Sequence, residues 1–105
     1  MSIPVDVAEL ERALEHFGPG YLLTVSAASA VKAVSVRPEL VDGAFVVTAP
    51  GRGSVTNAGT NANVTLLFPP VADDGLTLLV DGMAFVHGDD VRVEPTGAVL
   101  HQGAS

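Results

Sequence analysis

The residues whose types and spacing could do chemistry are concentrated in one stretch, FVVTAPGRGSVTNAGTNANVTLLF, from Phe45 to Phe68. It reads as a buried strand (Phe45 to Thr48), a loop of small residues holding the cation Arg52 (Ala49 to Gly53), a short helical turn opened by Ser54, and a second apolar strand (Val64 to Phe68). Backbone N–H groups, a hydroxyl and a guanidinium delivered to the start of a helix suit an anionic group such as a phosphate. Gly51 and Gly53 would equally serve a tight turn, and the local sequence leaves both readings open.

Other chemistry-bearing residues form no self-sufficient constellation. His16, His87 and His101 are far apart and show no HxH alternation, so no metal centre is expected. Asp73-Asp74 and Asp89-Asp90 lie beside glycines and read as turn chemistry rather than as acid/base pairs. Ser26, Ser29, Ser35 and Ser54 lack a His and Asp arrangement, no GxSxG occurs, and there is no cysteine. No catalytic residue is assigned, and an enzyme built on this chain would need a cofactor to do its chemistry.

The charge balance limits the partners. Twelve acidic against five basic residues give a net charge of −7, which opposes binding to nucleic acid or to anionic membranes. An anionic small ligand must therefore be held locally, by some of Lys32, Arg37, Arg52, Arg92 and Arg12. An apolar content of 48% is high for 105 residues, and such surface on a small β-rich domain is commonly covered by a second copy. No run approaches the roughly 20 apolar residues of a membrane span. The opening MSIPVDVAELERAL lacks the basic segment and apolar run of a signal peptide, so the expectation is a cytoplasmic protein.

The elements that must position these residues follow from pattern. Asp6 and Glu9 resemble a capping box, and Val7, Leu10, Leu14 and Phe17 recur at helical spacing until Gly18-Pro19-Gly20 ends the helix near His16. Strands are expected at Tyr21 to Ala27, Val31 to Arg37, Phe45 to Thr48, Val64 to Phe68, Leu76 to Val86 and Val91 to Glu94. Ala28-Ser29-Ala30 links the first two as a hairpin, Asp42-Gly43 joins the second to the third, and Asp73-Asp74-Gly75 and Asp89-Asp90 turn the chain later. Gly82 marks a bulge or bend, and Pro95 opens a final helical turn to about His101. The fold class is mainly β, a six-stranded antiparallel small barrel or sandwich with an N-terminal helix and short helical turns, in one domain over residues 1–105.

In order and spacing, the motifs GYLLTVSA, KAVSVR, FVVT, the NxxxNxxVTLL segment from Asn57 to Leu67, VDGMA (Val80 to Ala84) and PTGAVLH resemble the pyridoxamine 5′-phosphate oxidase-like family of split β-barrel flavoproteins. The resemblance implies a homodimer with FMN at its interface, or in one branch the deazaflavin F420, and an FMN-dependent oxidoreductase with an unassigned small-molecule substrate. It also implies that Lys32 and Arg37 of the second strand approach the flavin, and that Val46, Val47 and Thr48 contact ring and phosphate. Arg52 and Ser54, from the reading of the loop and turn, and Asn57, whose amide could cap or brace the loop, complete the candidate set. A regular strand sends positions 32 and 37 to opposite faces, so both reach one ligand only through a bulge. The chain departs from the pattern where the family places an Arg-Lys pair, here Gly53 and Ser54, and where arginines give way to Gly97 and Gln102. Met83 replaces a small polar residue and suits a dimer core. A cofactor-free dimer, acting as a small-molecule-binding or interaction module, is the alternative that these missing cations favour.

Overall fold

In the computed structural model the described residues are 2–72 and 75–103. The Asp73-Asp74 turn expected from sequence lies outside them. Eight strands form one antiparallel sheet: β1 (Ser2–Val5), β2 (Gly20–Val25), β3 (Val31–Val36), β4 (Glu39–Val41), β5 (Ala44–Val47), β6 (Asn63–Phe68), β7 (Leu76–His87) and β8 (Asp90–Gln102). Helix α1 (Leu10–Leu14), entered through a 3-10 turn, lies between β1 and β2, and helix α2 (Arg52–Thr60) lies between β5 and β6. The sheet order is β3-β2-β6-β7-β8-β5-β4, with β1 also on β8, and the two ends do not pair. The expected mainly β split barrel is therefore what forms, an open sheet curled around one core.

Alternation makes the two faces. Leu22, Leu66, Leu78, Val80, Val91, Val93, Phe45 and Val47 point inward and are essentially fully buried. Phe68 ties them together, its ring 6.0 Å from that of Phe45 and 6.5 Å from that of Phe17. Leu10 of α1 is buried against this cluster, so the amphipathic N-terminal helix covers the core as its stripe predicts. Asp6 caps the 3-10 turn that leads into it, accepting from the N–H of Ala8 at 3.0 Å.

Four expectations need correction. The strand count is eight rather than six, because Ser2–Val5 pairs with the end of β8 and Glu39–Val41 pairs with β5. Strand β4 is what the Asp42-Gly43 turn joins to β5, and both turn residues have positive φ (51° and 82°) as a two-residue type I′ hairpin requires. The segment after Pro95 is strand, not helix. Its tolerance of proline has a local cause: β8 pairs with β5 as far as Val93 and with β1 only from Ala98, so Pro95 falls in the gap between partners. Finally, the turn after the loop is a nine-residue helix beginning at Arg52, so Ser54 lies inside its first turn and does not open it.

Gly82 does sit at a bulge. Asp81 pairs with Gly97 and Gly82 with Pro95, leaving Thr96 as the extra residue on β8.

Candidate functional site

The site grows from the β5–α2 connection. Leaving β5, the chain passes Thr48, which is exposed, and reaches Ala49 in a left-handed conformation with φ 45°. The Ala49 N–H donates to Asp90 Oδ1 at 2.9 Å, so a carboxylate from the start of β8 pins the loop. Gly51 then adopts φ 113°, a value that favours glycine, and its carbonyl accepts from Val55 N–H at 3.0 Å to open α2. No side chain caps this helix start. The N–H groups of its first turn are thus left for water or a ligand, at the positive end of the helix dipole.

Helix α2 has little intrinsic propensity, with glycines at 53 and 59 and β-branched Val55, Thr56 and Thr60. Tertiary contacts hold it across β2 and β7. Ala58 and Ser54 are buried beneath it, and Asn57 Nδ2 donates to Thr24 Oγ1 at 3.1 Å. Asn57 therefore braces the helix to β2. Asn61 ends the helix, and its Oδ1 accepts from the Asn63 N–H at 3.1 Å.

Thr24 pairs directly with Lys32 across the β2–β3 hairpin. The Lys32 side chain runs over Gly53: a Cβ built there would stand 3.0 Å from Lys32 Cε and 3.2 Å from its Nζ. The glycine that stands where the resemblance led one to look for a cation is thus the seat of a lysine from another strand. Lys32 lies over the first turn of α2 and Arg52 begins the helix, and neither has a carboxylate within 4.0 Å among the described residues. The ion pair found among the described residues, Arg92 with Glu94, lies on β8, with Arg92 also above the Phe85 ring at 5.7 Å. An anion at the positive end of the helix would be favoured by the helix dipole and by either cation. Ser54 Oγ, fully buried, has no hydrogen-bond partner. An orphaned buried hydroxyl costs roughly 1–3 kcal/mol.

Other residues named from sequence are placed differently. Strand β3 pairs without interruption from Val31 to Val36, so no bulge brings Arg37 round to Lys32, and Arg37 follows the opposite end of the strand. Strand β4 covers the edge of β5 as far as Val46, so the backbone on that side is free only from Val47 onward. The side chain of Val47 is in the core. Sequence reasoning missed Thr24, Gly53 as the lysine's seat, and Asp90 as the loop's anchor. Only long-range pairing relates them, and a single sequence carries no local signal for it. No group of three or more His, Asp or Glu residues that could hold a metal occurs among the described residues, nor does any helix long and apolar enough to cross a membrane.

A prediction follows at Gly53. In Gly53→Ala the new methyl meets only the flexible end of Lys32, and alanine raises helix propensity by about 1 kcal/mol. Thermal unfolding should therefore show equal or greater stability, while titration with inorganic phosphate or a nucleotide shows weaker binding because the ammonium is displaced.

These features define an open antiparallel split barrel with an anion-receptive loop and helix start. The same fold is seen in the FAD binding protein from Mycobacterium smegmatis, with a TM-score of 0.71 at 19% identity, covering 97% of this chain and 100% of that one. No family model matches the chain. It is 36% identical over 117 aligned positions to uncharacterized protein Mb0449c of Mycobacterium bovis and to uncharacterized protein MT0457 of Mycobacterium tuberculosis, spanning 96% of this chain and 82% of each relative. The chain belongs to the family of these two mycobacterial proteins.

Proposed function

We propose that the protein binds a flavin nucleotide, with FMN as the smallest ligand that meets the site, and that it is a pyridoxamine 5′-phosphate oxidase-like oxidoreductase working as a homodimer. The observation that carries this reading is the uncapped start of α2, with Lys32 lying over its first turn and Arg52 at its first position, both without carboxylate partners among the described residues. A phosphate there would accept from the first-turn N–H groups, including that of Ser54, and from both cations. Thr48 adds an exposed hydroxyl at the end of β5. The fold shared with an FAD binding protein supports a flavin over other phosphate esters.

The residues fit the phosphate in charge and in donor type. A bound flavin supplies hydride-transfer chemistry. The chain's own part is to hold the phosphate, to brace α2 through the Asn57–Thr24 hydrogen bond, and to fix the loop through Asp90. The cofactor-free alternative has one observation in its favour: Asp90 already occupies the Ala49 N–H, a donor that a phosphate would otherwise use. Titration with FMN, followed by quenching of flavin fluorescence, separates the two, since saturable binding supports the flavin site and its absence supports the cofactor-free module.

For the homodimer, the support is the outer face of the sheet. Tyr21, Met83 and Phe85 are 43%, 38% and 43% exposed and share that face with the half-buried Leu23, Leu67 and Leu79. A second copy would cover an apolar surface of this kind. Met83 stands opposite Glu94, so Met83→Asp adds like charge to the patch. Sedimentation should show the variant dissociating at concentrations where the parent is dimeric; a monomeric parent protein would remove the interface.

A further inference from the structure

Strands β5 and β8 stay paired as far as Val47 and Val91, and the next link between them is made by a side chain. Asp90, one residue before Val91, accepts at its Oδ1 from the Ala49 N–H at 2.9 Å. Its backbone is fixed at the end of a hairpin: His87 pairs with Asp90 across the two-residue turn Gly88-Asp89, where Gly88 has φ 60°. Among the described residues no cation lies within 4.0 Å of this half-buried carboxylate. The same turn reaches the helix itself, since Asp89 lines one cavity with Gly51, Arg52 and Thr56.

Ala49 stands two residues before Gly51, the residue from which α2 opens. Two residues of chain span at most about 7 Å, so Asp90 Oδ1 lies within about 10 Å of the Gly51 N–H whatever path the loop takes. That is no more than about one Debye length at 0.1 M salt, so an anion at the helix start meets the Asp90 charge largely unscreened at lower salt.

We propose that Asp90 is an internal competitor for the anion: its hydrogen bond shapes the loop, while its charge limits the affinity of the start of α2 for phosphate. The inference rests on the phosphate reading above and assigns control of that same site to a residue outside α2 and its loop. The two roles pull in opposite directions, and side-chain chemistry separates them. Asparagine keeps an oxygen to accept from the Ala49 N–H and removes the charge, whereas alanine removes both. The anchor matters because Ala49 is left-handed, with φ 45°, a conformation that is costly for a residue with a Cβ.

The test is titration of the full chain with FMN, read by quenching of flavin fluorescence, for the parent protein, Asp90→Asn and Asp90→Ala. At about 0.01 M ionic strength the Debye length is about 30 Å, and the charge acts at full range. The expected result is that Asp90→Asn binds FMN about threefold or more tighter than the parent, with the gain shrinking as salt is added. Asp90→Ala gains less, because its loop has lost the anchor. A parent that binds FMN as tightly as Asp90→Asn, or tighter, would show that Asp90 only braces the loop, overturning the competition and leaving the flavin reading in place. Binding by none of the three would overturn both.

Discussion

Replacing Lys32 and Arg52 together by alanine is expected to weaken flavin nucleotide binding at least about tenfold, since hydrogen bonds to charged groups contribute roughly 1.5–3 kcal/mol each. The reasoning is electrostatic. The chain carries a net charge of −7, so beyond the immediate site its field opposes an anion. What attracts a phosphate must be short-ranged: two cations lacking carboxylate partners among the described residues and an uncapped helix start. Without the side chains the N–H groups remain, and some residual affinity should survive. Raising the salt concentration should weaken binding to the parent protein more than to the double variant, because screening acts on the removed charges. Arg12, exposed on α1 away from the loop, is the control, and Arg12→Ala should leave affinity unchanged. Unchanged affinity in the double variant would place the phosphate elsewhere on the protein.

The largest expected effect on stability is at Gly82. A Cβ there would stand 2.6 Å from Val93 Cγ1 and 2.7 Å from the Glu94 carbonyl oxygen. Neither can move cheaply. Val93 is fully buried, and Glu94 belongs to β8 beside the bulge at Thr96. Gly82→Ala should therefore destabilise by about 3 kcal/mol, at the upper end for overpacking, seen as a lower urea midpoint with unchanged slope. Gly97 sits on the same hairpin with nothing within 4 Å of its would-be Cβ and no positive φ, so Gly97→Ala should stay within about 0.5 kcal/mol of the parent. If both alanines were equally mild, the hairpin would be looser than its register implies, and the bulge would not be fixing the curl of the sheet.

Much of the architecture was legible from the chain itself. Short apolar runs between turn formers marked the strands that carry Leu22, Leu66, Leu78 and Val80, Asp6 marked the first helix, and Asp42-Gly43 and Gly82 marked a turn and a bulge. Each is a short-range signal, set by side-chain periodicity or by backbone sterics at one or two residues. The segments misread are those whose state depends on a distant partner. Ser2–Val5 and Glu39–Val41 are too short to announce themselves, and become strands because β8 and β5 offer free edges. PTGAVLH begins like a helix, yet it is extended because β7 is long enough to pair with it through Gln102.

The site divides in the same way. Sequence by itself determined the loop's special conformations, through Gly51, and the scarcity of cations that makes each one interpretable. Only the tertiary structure decided which cations meet. Unbroken β2–β3 pairing holds Lys32 above Gly53 and leaves Arg37 at the other end of β3, because strand geometry carries positions five apart to different places as well as different faces. The cation beside Gly53 thus comes from β3 and not from the loop, a placement that pairing register creates and linear order conceals.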